Sequence, residues 1–424
     1  MEYEKYLLDN GTELYVVQSS LWKTTNVTMG FYSQKDGTEG LKGLVPTILT
    51  EGSANYPTRQ EISMAVEKEF ATSLYTSRGS SGDLHAVKFG LNVLTEEKLL
   101  QGQKTLENSL GLLKEIITDP LIEKGKFKES YYKRQKEELI DEIKQREMDA
   151  RSFAIKKFYE LALGNSRFNY PSIGTEKQAE MLVNPNSAFT TYEKMLATFP
   201  RKVFVATNLE ANCIVDTVRK AFSELPKVDS GIEISDPPIK ICRELSEGSR
   251  FKQSIVHVGF PVKVTKNKKK KEALYLLNYY LGGYANGKIF KEVRTERQLA
   301  YYAFSSLDLD SCLIYGYGGV DRKKIEETIE VISEEIKKAA KGEIEKKELS
   351  EAQYSLLNAL AMVKHKKSTK MSVVENAVLH GKLEDVREWE NKFKEISYED
   401  VESAASLIDT SSPIVHCLRQ EEEE

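Results

Sequence analysis

One order of local patterns runs through the chain twice, and that repetition limits the possible folds more than any single motif does. In the first pass, Asn10-Gly11-Thr12 introduces an alternating run, Glu13 to Val17, and a second run, Thr25 to Tyr32, precedes Asp36-Gly37. Runs of period two bounded by turn residues predict strands, here a pair. A short apolar segment, Leu44 to Leu49, leads to Pro57-Thr58-Arg59-Gln60-Glu61, where Thr58 and Glu61 stand at capping-box spacing and a helix starts. Ile62, Val66 and Phe70 give that helix its apolar stripe. The chain then passes through Ser73 to Arg78 into a strand with His85, Val87, Phe89, Leu91 and Val93 on one face. Two long helical patterns follow, Glu96 to Ile117 and Tyr131 to Leu163, separated by Asp119-Pro120. The half closes on an apolar run, Val203 to Ala206, and a helix, Ala211 to Phe222.

The second pass has a strand at Ile255 to Phe260, a helix at Ala273 to Leu281, a helix from near Gly287, and strands at Tyr302 to Ser306 and Leu313 to Gly318. An amphipathic helix carrying Ile325, Ile329, Ile332 and Ile336 comes next, and the last strand is Pro413 to Leu418. Between the passes, residues 225–240 include Pro226, Gly231 and Asp236-Pro237-Pro238, the composition of a linker. The expected architecture is α+β: an N-terminal domain 1–224, a linker 225–240 and a C-terminal domain 241–424. The halves are expected to be homologous, each a mostly antiparallel sheet with helices packed on one face.

At 424 residues the chain exceeds what one core usually serves, which fits two domains. A formal charge of −4, from 61 basic and 65 acidic residues, gives no field that argues for nucleic acid. The basic run Lys266 to Lys271 reads as a solvated loop tip, and Glu421 to Glu424 as a solvated terminus. Cys213, Cys242, Cys312 and Cys417 stand far apart, without metal or disulfide spacing, and read as reduced packing residues. The start, Met1-Glu2-Tyr3-Glu4-Lys5, lacks a signal-peptide pattern, and no apolar stretch reaches the roughly 18 residues of a membrane helix. A cytoplasmic protein without membrane contact is the expectation.

In the second half, Leu281-Gly282-Gly283-Tyr284-Ala285-Asn286-Gly287-Lys288-Ile289-Phe290-Lys291-Glu292-Val293-Arg294 runs into Thr295-Glu296-Arg297-Gln298-Leu299-Ala300-Tyr301. This stretch resembles the C-terminal signature of the pitrilysin/insulinase-type (inverzincin) metallopeptidases, a glycine turn, a helix ending in an Arg-containing stretch and a Gln-Leu-Gly/Ala-Tyr segment. With the Asn10-Gly11 opening and the order of elements, the resemblance extends over most of the chain. It implies a clamshell in which zinc, held by His-x-x-Glu-His on one half, activates water while the facing half supplies an Arg and a Tyr. Those two roles fall on Arg294 and Tyr301, whose guanidinium and phenol are donors suited to a substrate carbonyl and its developing oxyanion.

The first half departs from that family. Anchored on Gly52-Ser53, the zinc motif falls on Gly43-Leu44-Val45-Pro46-Thr47, so Gly43 and Thr47 replace the two histidines and Pro46 the glutamate. Glycine and proline side chains bind no metal, and threonine is a poor zinc ligand. His85, His257, His365, His380 and His416 form no i, i+4 pair, and those in strand patterns (His85, His257, His416) read as core or edge residues. Glu142 falls where the resemblance implies a third zinc ligand, on a helix so charged that a solvated carboxylate is expected. No cofactor is expected in this chain.

Keeping the Arg and Tyr while lacking the metal motif is the pattern of the non-zinc member of the family's heterodimers. The resemblance thus implies a zinc-bearing homologous subunit as partner, a peptide as substrate, and Arg294 and Tyr301 acting in the partner's active site, the isolated chain being no enzyme. The alternative is a catalytically inert peptide-binding or scaffold protein of the same fold. A self-sufficient enzyme with an unrelated site has no support, since no Ser/His/Asp motif, P-loop or dinucleotide fingerprint is visible. The stretch Leu44 to Ser53, Tyr56 to Gln60 and Ser73 to Thr76 also resembles bacterial zinc-free homologues associated with peptide maturation or elongation factor P modification.

Overall fold

Asn10 and Gly11 close a hairpin between β1 (Tyr3–Leu7) and β2 (Glu13–Gln18). Gly11 takes φ +80°, and a β carbon there would lie 1.9 Å from the Val228 carbonyl oxygen, so only glycine fits. The expected pairing of β2 with β3 (Thr24–Gln34) does not form. Instead β8 (Arg201–Thr207) lies between them, parallel to β2 and antiparallel to β3. The turn that the sequence marks so clearly serves β1 and β2, and no short-range signal announces a strand arriving from so far along the chain.

The computed structural model describes residues 3–70, 72–95, 102–181, 184–235, 243–249, 251–363, 366–380 and 386–421. Asp236-Pro237-Pro238, Cys242, His365 and Glu422 to Glu424 lie outside them, as does the start of the helix expected from Glu96. The chain forms two compact units. The first comprises Met1–Lys144, Tyr170–Ser235 and Lys367–Asp385, the second Gln145–Asn169, Asp236–Lys366 and Val386–Glu424. The passage between them at Ser235 falls inside the stretch 225–240, while residues 145–169 and 367–385 belong to the unit of the other half of the sequence.

In the first unit the sheet order is β1-β2-β8-β3-β5-β4, with β4 (Ser73–Ser81) and β5 (Leu84–Leu94) antiparallel and β4 at the edge. A separate two-stranded hairpin joins β6 (Ile122–Glu123) and β7 (Lys126–Phe127). The second unit has the order β9-β13-β10-β12-β11, from β9 (Glu244–Ser249), β13 (Ile414–Gln420), β10 (Ser254–Pro261), β12 (Leu313–Val320) and β11 (Ala300–Asp308). Both sheets therefore hold the same series, a parallel pair (β2 with β8, β9 with β13) followed by three antiparallel pairings. That shared topology gives the recurring sequence pattern its physical basis. The fold is α+β as expected.

The largest core of the first unit packs Leu14, Val16, Met29, Phe31 and Phe89 of the sheet against helices that include α1 (Glu39–Leu49) and Thr105–Thr118. The strands are also apolar on their other face, and one more helix covers each sheet there. Met371 and Val374 of helix Lys367–Leu379 pack with Tyr15, Tyr32 and Phe204, while Phe158 and Leu161 of helix Ala150–Leu163 pack with Leu313 and Tyr315. The long pattern Tyr131 to Leu163 is two helices, Glu129–Met148 and Ala150–Leu163, because Asp149 turns extended and caps the second through the Ser152 amide. The basic run is no loop tip. Asn267 caps a helix, Lys268–Asn278, through the Lys270 amide, and Lys269 pairs with Asp400 at 2.8 Å.

Candidate functional site

Helix α1 carries Gly43, Pro46 and Thr47, the positions on which the resemblance puts the zinc motif. Its start is held by Glu39, whose carboxylate accepts the Asp36 and Gly37 amides at 2.7 and 3.1 Å, the favoured charge at a helix N-terminus. Gly43 and Pro46 are buried, and the Thr47 hydroxyl donates to the Leu44 carbonyl at 2.9 Å. Gly43 and Thr47 share a helix face, as positions four apart must. Neither glycine nor proline offers a donor atom, and the threonine oxygen is engaged in its own helix.

Glu142 is not the solvated carboxylate expected from the charge of its helix. Its carboxylate accepts Nη2 of Arg78, from edge strand β4, and the two side chains are 17% and 37% exposed, Arg78 the more buried. Arg78 also lies over Gly43, so Gly43 and Glu142, the two positions the resemblance implies for ligands, are linked through one guanidinium. The sequence reading missed Arg78. The available signal was Gly43 itself, since a glycine inside a helix marks a close approach by something else. A single carboxylate bound to an arginine does not fit zinc, which takes three or four nitrogen, sulfur or oxygen ligands. Among the described residues, no cluster of three His, Cys, Asp or Glu side chains is placed to hold a metal.

The second unit carries Arg294 and Tyr301. The glycines of the preceding stretch are needed for packing: a β carbon on Gly282 would sit 2.6 Å from the Ser305 amide, and one on Gly287 would sit 2.6 Å from the Gly282 α carbon. The chain continues through wide helical turns, Lys291–Glu296, and Gln298 adopts φ +53° before β11 begins. Val293 and Leu299 anchor the loop by burial, and the Leu299 amide donates to the Val293 carbonyl at 2.7 Å. Arg294, between these anchors, is exposed and lies 5.0 Å over the Phe290 ring, a cation–π contact that limits its rotamers.

Tyr301 stands near the start of edge strand β11 with 60% of its surface exposed. Its hydroxyl donates to Asp321 Oδ1 at 2.8 Å. That hydrogen bond, with the carboxylate's charge, pushes the phenol above its ordinary pKa. Tyr301 is therefore held protonated, a donor at neutral pH. No local pattern singles out Asp321 as that partner.

The histidines are scattered. His85 is buried, with Nε2 2.9 Å from the Ser172 carbonyl, and burial pushes it down to about 4. His257 is stacked between Phe158 and Tyr317 and pushed down to about 3, again by burial. His416 reaches Glu247 at 2.8 Å, and His380 reaches Ser81 at 2.9 Å. Of the described cysteines, Cys213 is exposed and Cys312 and Cys417 are buried, each as a thiol outside any disulfide.

One further feature borders α1. Edge strand β4 is rich in serine and glycine and its outer side pairs with no described strand. Beside it, a cleft of about 410 Å³ is lined by Thr50, Arg59, Ser63, Glu67, Leu74 and Thr76, among others. Tyr75 lies across Gly90 of β5, where a β carbon would come 2.0 Å from its ring.

Residues 183–356 match the family profile described as the peptidase M16 inactive domain. The chain is 20% identical over 350 residues to the probable inactive metalloprotease YmfF of Bacillus subtilis, a match spanning 82% of each chain. Its fold resembles a conserved protein from Enterococcus faecalis, with a TM-score of 0.90 at 21% identity and all of both chains covered. It also resembles a peptidase M16 inactive domain from Pseudomonas fluorescens, with a TM-score of 0.83 at 14% identity, again over all of both chains.

Proposed function

We propose that the chain is the zinc-free subunit of a two-subunit peptidase of the M16, pitrilysin type; its match to the inactive-domain profile over residues 183–356 and its likeness to an inactive metalloprotease support that reading. The observation that carries the proposal is the asymmetry between the units. Arg294 and Tyr301 are intact and exposed on the second, while Gly43, Pro46 and Thr47 leave the first without ligands. Zinc and the water it activates belong in this reading to a homologous partner bearing the zinc motif.

Arg294 and Tyr301 would then donate to the carbonyl of a bound peptide and to the oxyanion that develops on it. For that role the single Tyr301 hydroxyl proton, donated to Asp321 in this structure, turns from that carboxylate to the substrate oxygen. Removing one such donor costs about 100-fold in turnover or more. Arg294→Ala and Tyr301→Phe are each expected to lower the rate of the mixed pair by that order, and an unchanged rate in both variants overturns the proposal.

A second reading, an inert peptide-binding or scaffold protein, draws on the unpaired outer side of β4 and the polar cleft beside it. An extended peptide can add to such an edge through main-chain hydrogen bonds, with side chains reaching a neighbouring pocket. In that case the purified chain binds peptides by itself, and the two donor substitutions leave binding unchanged.

A further inference from the structure

The misfit between this donor set and zinc has a specific cause. A β carbon on residue 43 would lie 3.0 Å from Arg78 Cδ and 3.3 Å from Nη1, while Nη2 of the same guanidinium donates to Glu142. One planar cation thus spans from the backbone of α1 to the carboxylate on helix Glu129–Met148. Arginine is charged at every working pH, and its rigid fork matches a carboxylate. We infer that Arg78 is the resident cation of the vacated ligand positions, so that these positions form an ion pair in place of a metal site and restored histidines bind zinc only after Arg78 is shortened.

Three features converge on this assignment. Gly43 supplies the room, because any side chain there meets the Arg78 stem. Glu142 supplies the counter-charge. The pair is partly shielded from water, with Arg78 the more buried member, so its charges are screened less than those of a surface pair. The inference concerns the first unit alone and stands or falls separately from any role of Arg294 and Tyr301.

The test compares Gly43→His/Thr47→His in the full chain with the same pair plus Arg78→Ala. Each protein is titrated with zinc, washed with a weak chelator and measured for zinc per chain, with circular-dichroism melts to verify folding. The triple variant is expected to hold close to one zinc per chain and to bind at least about tenfold more tightly than the double, the size of effect of groups that compete for or orient a ligand. Adding Glu142→Gln should abolish the gain. Equal affinity in double and triple variants, or a folded triple variant without zinc, overturns the assignment. If the histidine variants do not fold, Gly43→Ala decides. It should raise the melting temperature about 2 °C more in an Arg78→Ala background than in the natural chain, because only there is the helical gain of alanine free of a clash. Equal shifts overturn the inference.

Discussion

Glu51 has about 1% of its side chain exposed, yet it is a carboxylate. It is held by Arg134 at 2.6 Å, by the Gln135 amide at 3.0 Å and by Arg59 at 3.6 Å. Removing a buried acceptor leaves its donors without a partner, which costs more than the bond is worth. Glu51→Ala should therefore lower unfolding free energy by about 2–3 kcal/mol in urea melts, and a loss under about 0.5 kcal/mol would show that water replaces the carboxylate at no cost. At this scale the sequence was legible where a residue's type forces its use. Gly43, Pro46 and Thr47 are poor or impossible zinc ligands by residue type alone. Arg78 and Asp321 were not legible, because a surface-type residue on an edge strand or in a loop takes its meaning from partners far along the chain.

Among the elements, helix Lys367–Leu379 shows how one side chain fixes a whole segment. Glu375 accepts the hydroxyl of fully buried Tyr32 at 2.9 Å and pairs with Lys88. Burial, then the charge of Glu375, raises the Tyr32 phenol well above its usual pKa, so Tyr32 remains the donor. Glu375→Ala strands both partners, and a cost of about 1–3 kcal/mol is expected. Amide hydrogen exchange should localise that loss to Lys367–Leu379, and unchanged protection there would contradict the anchoring role. The elements themselves were read well where the signal is short-range. The Thr58–Glu61 capping box, helix Ala211–Phe222 and strand β5 stand where their periodicity put them. The insertion of β8 between β2 and β3, and the placing of Lys367–Leu379 in the first unit, are long-range choices that leave no local mark.

For the molecule as a whole, buried histidines contribute to the loss of stability in acid. His85, His257 and His416 are all pushed below the usual imidazole value, in each case first by burial. The folded state therefore prefers them neutral, and the unfolded chain binds more protons once pH falls below about 6.5. Their contribution to stability is complete above that pH. It is lost on acidification through the interval down to the folded values, about 4 for His85 and about 3 for His257. Each histidine adds a slope of up to about 1.4 kcal/mol per pH unit across its interval. His257→Phe should flatten the fall in melting temperature between roughly pH 6 and 4, and an unaltered slope would place acid sensitivity elsewhere. The two-half layout was legible because the same strand series is written twice. The exchange of segments 145–169 and 367–385 between units was not, since a helix that covers another half's sheet has the same amphipathic pattern as one that covers its own.

The most direct test of the account is zinc content and peptidase rate for the purified chain, alone and mixed one to one with a homologue bearing the zinc motif. The chain alone should hold no stoichiometric zinc and cleave nothing, and the mixture should cleave peptides faster than the homologue by itself. Stoichiometric zinc with peptidase activity in the chain alone would contradict the reading of Gly43, Pro46 and Thr47 as a lost site.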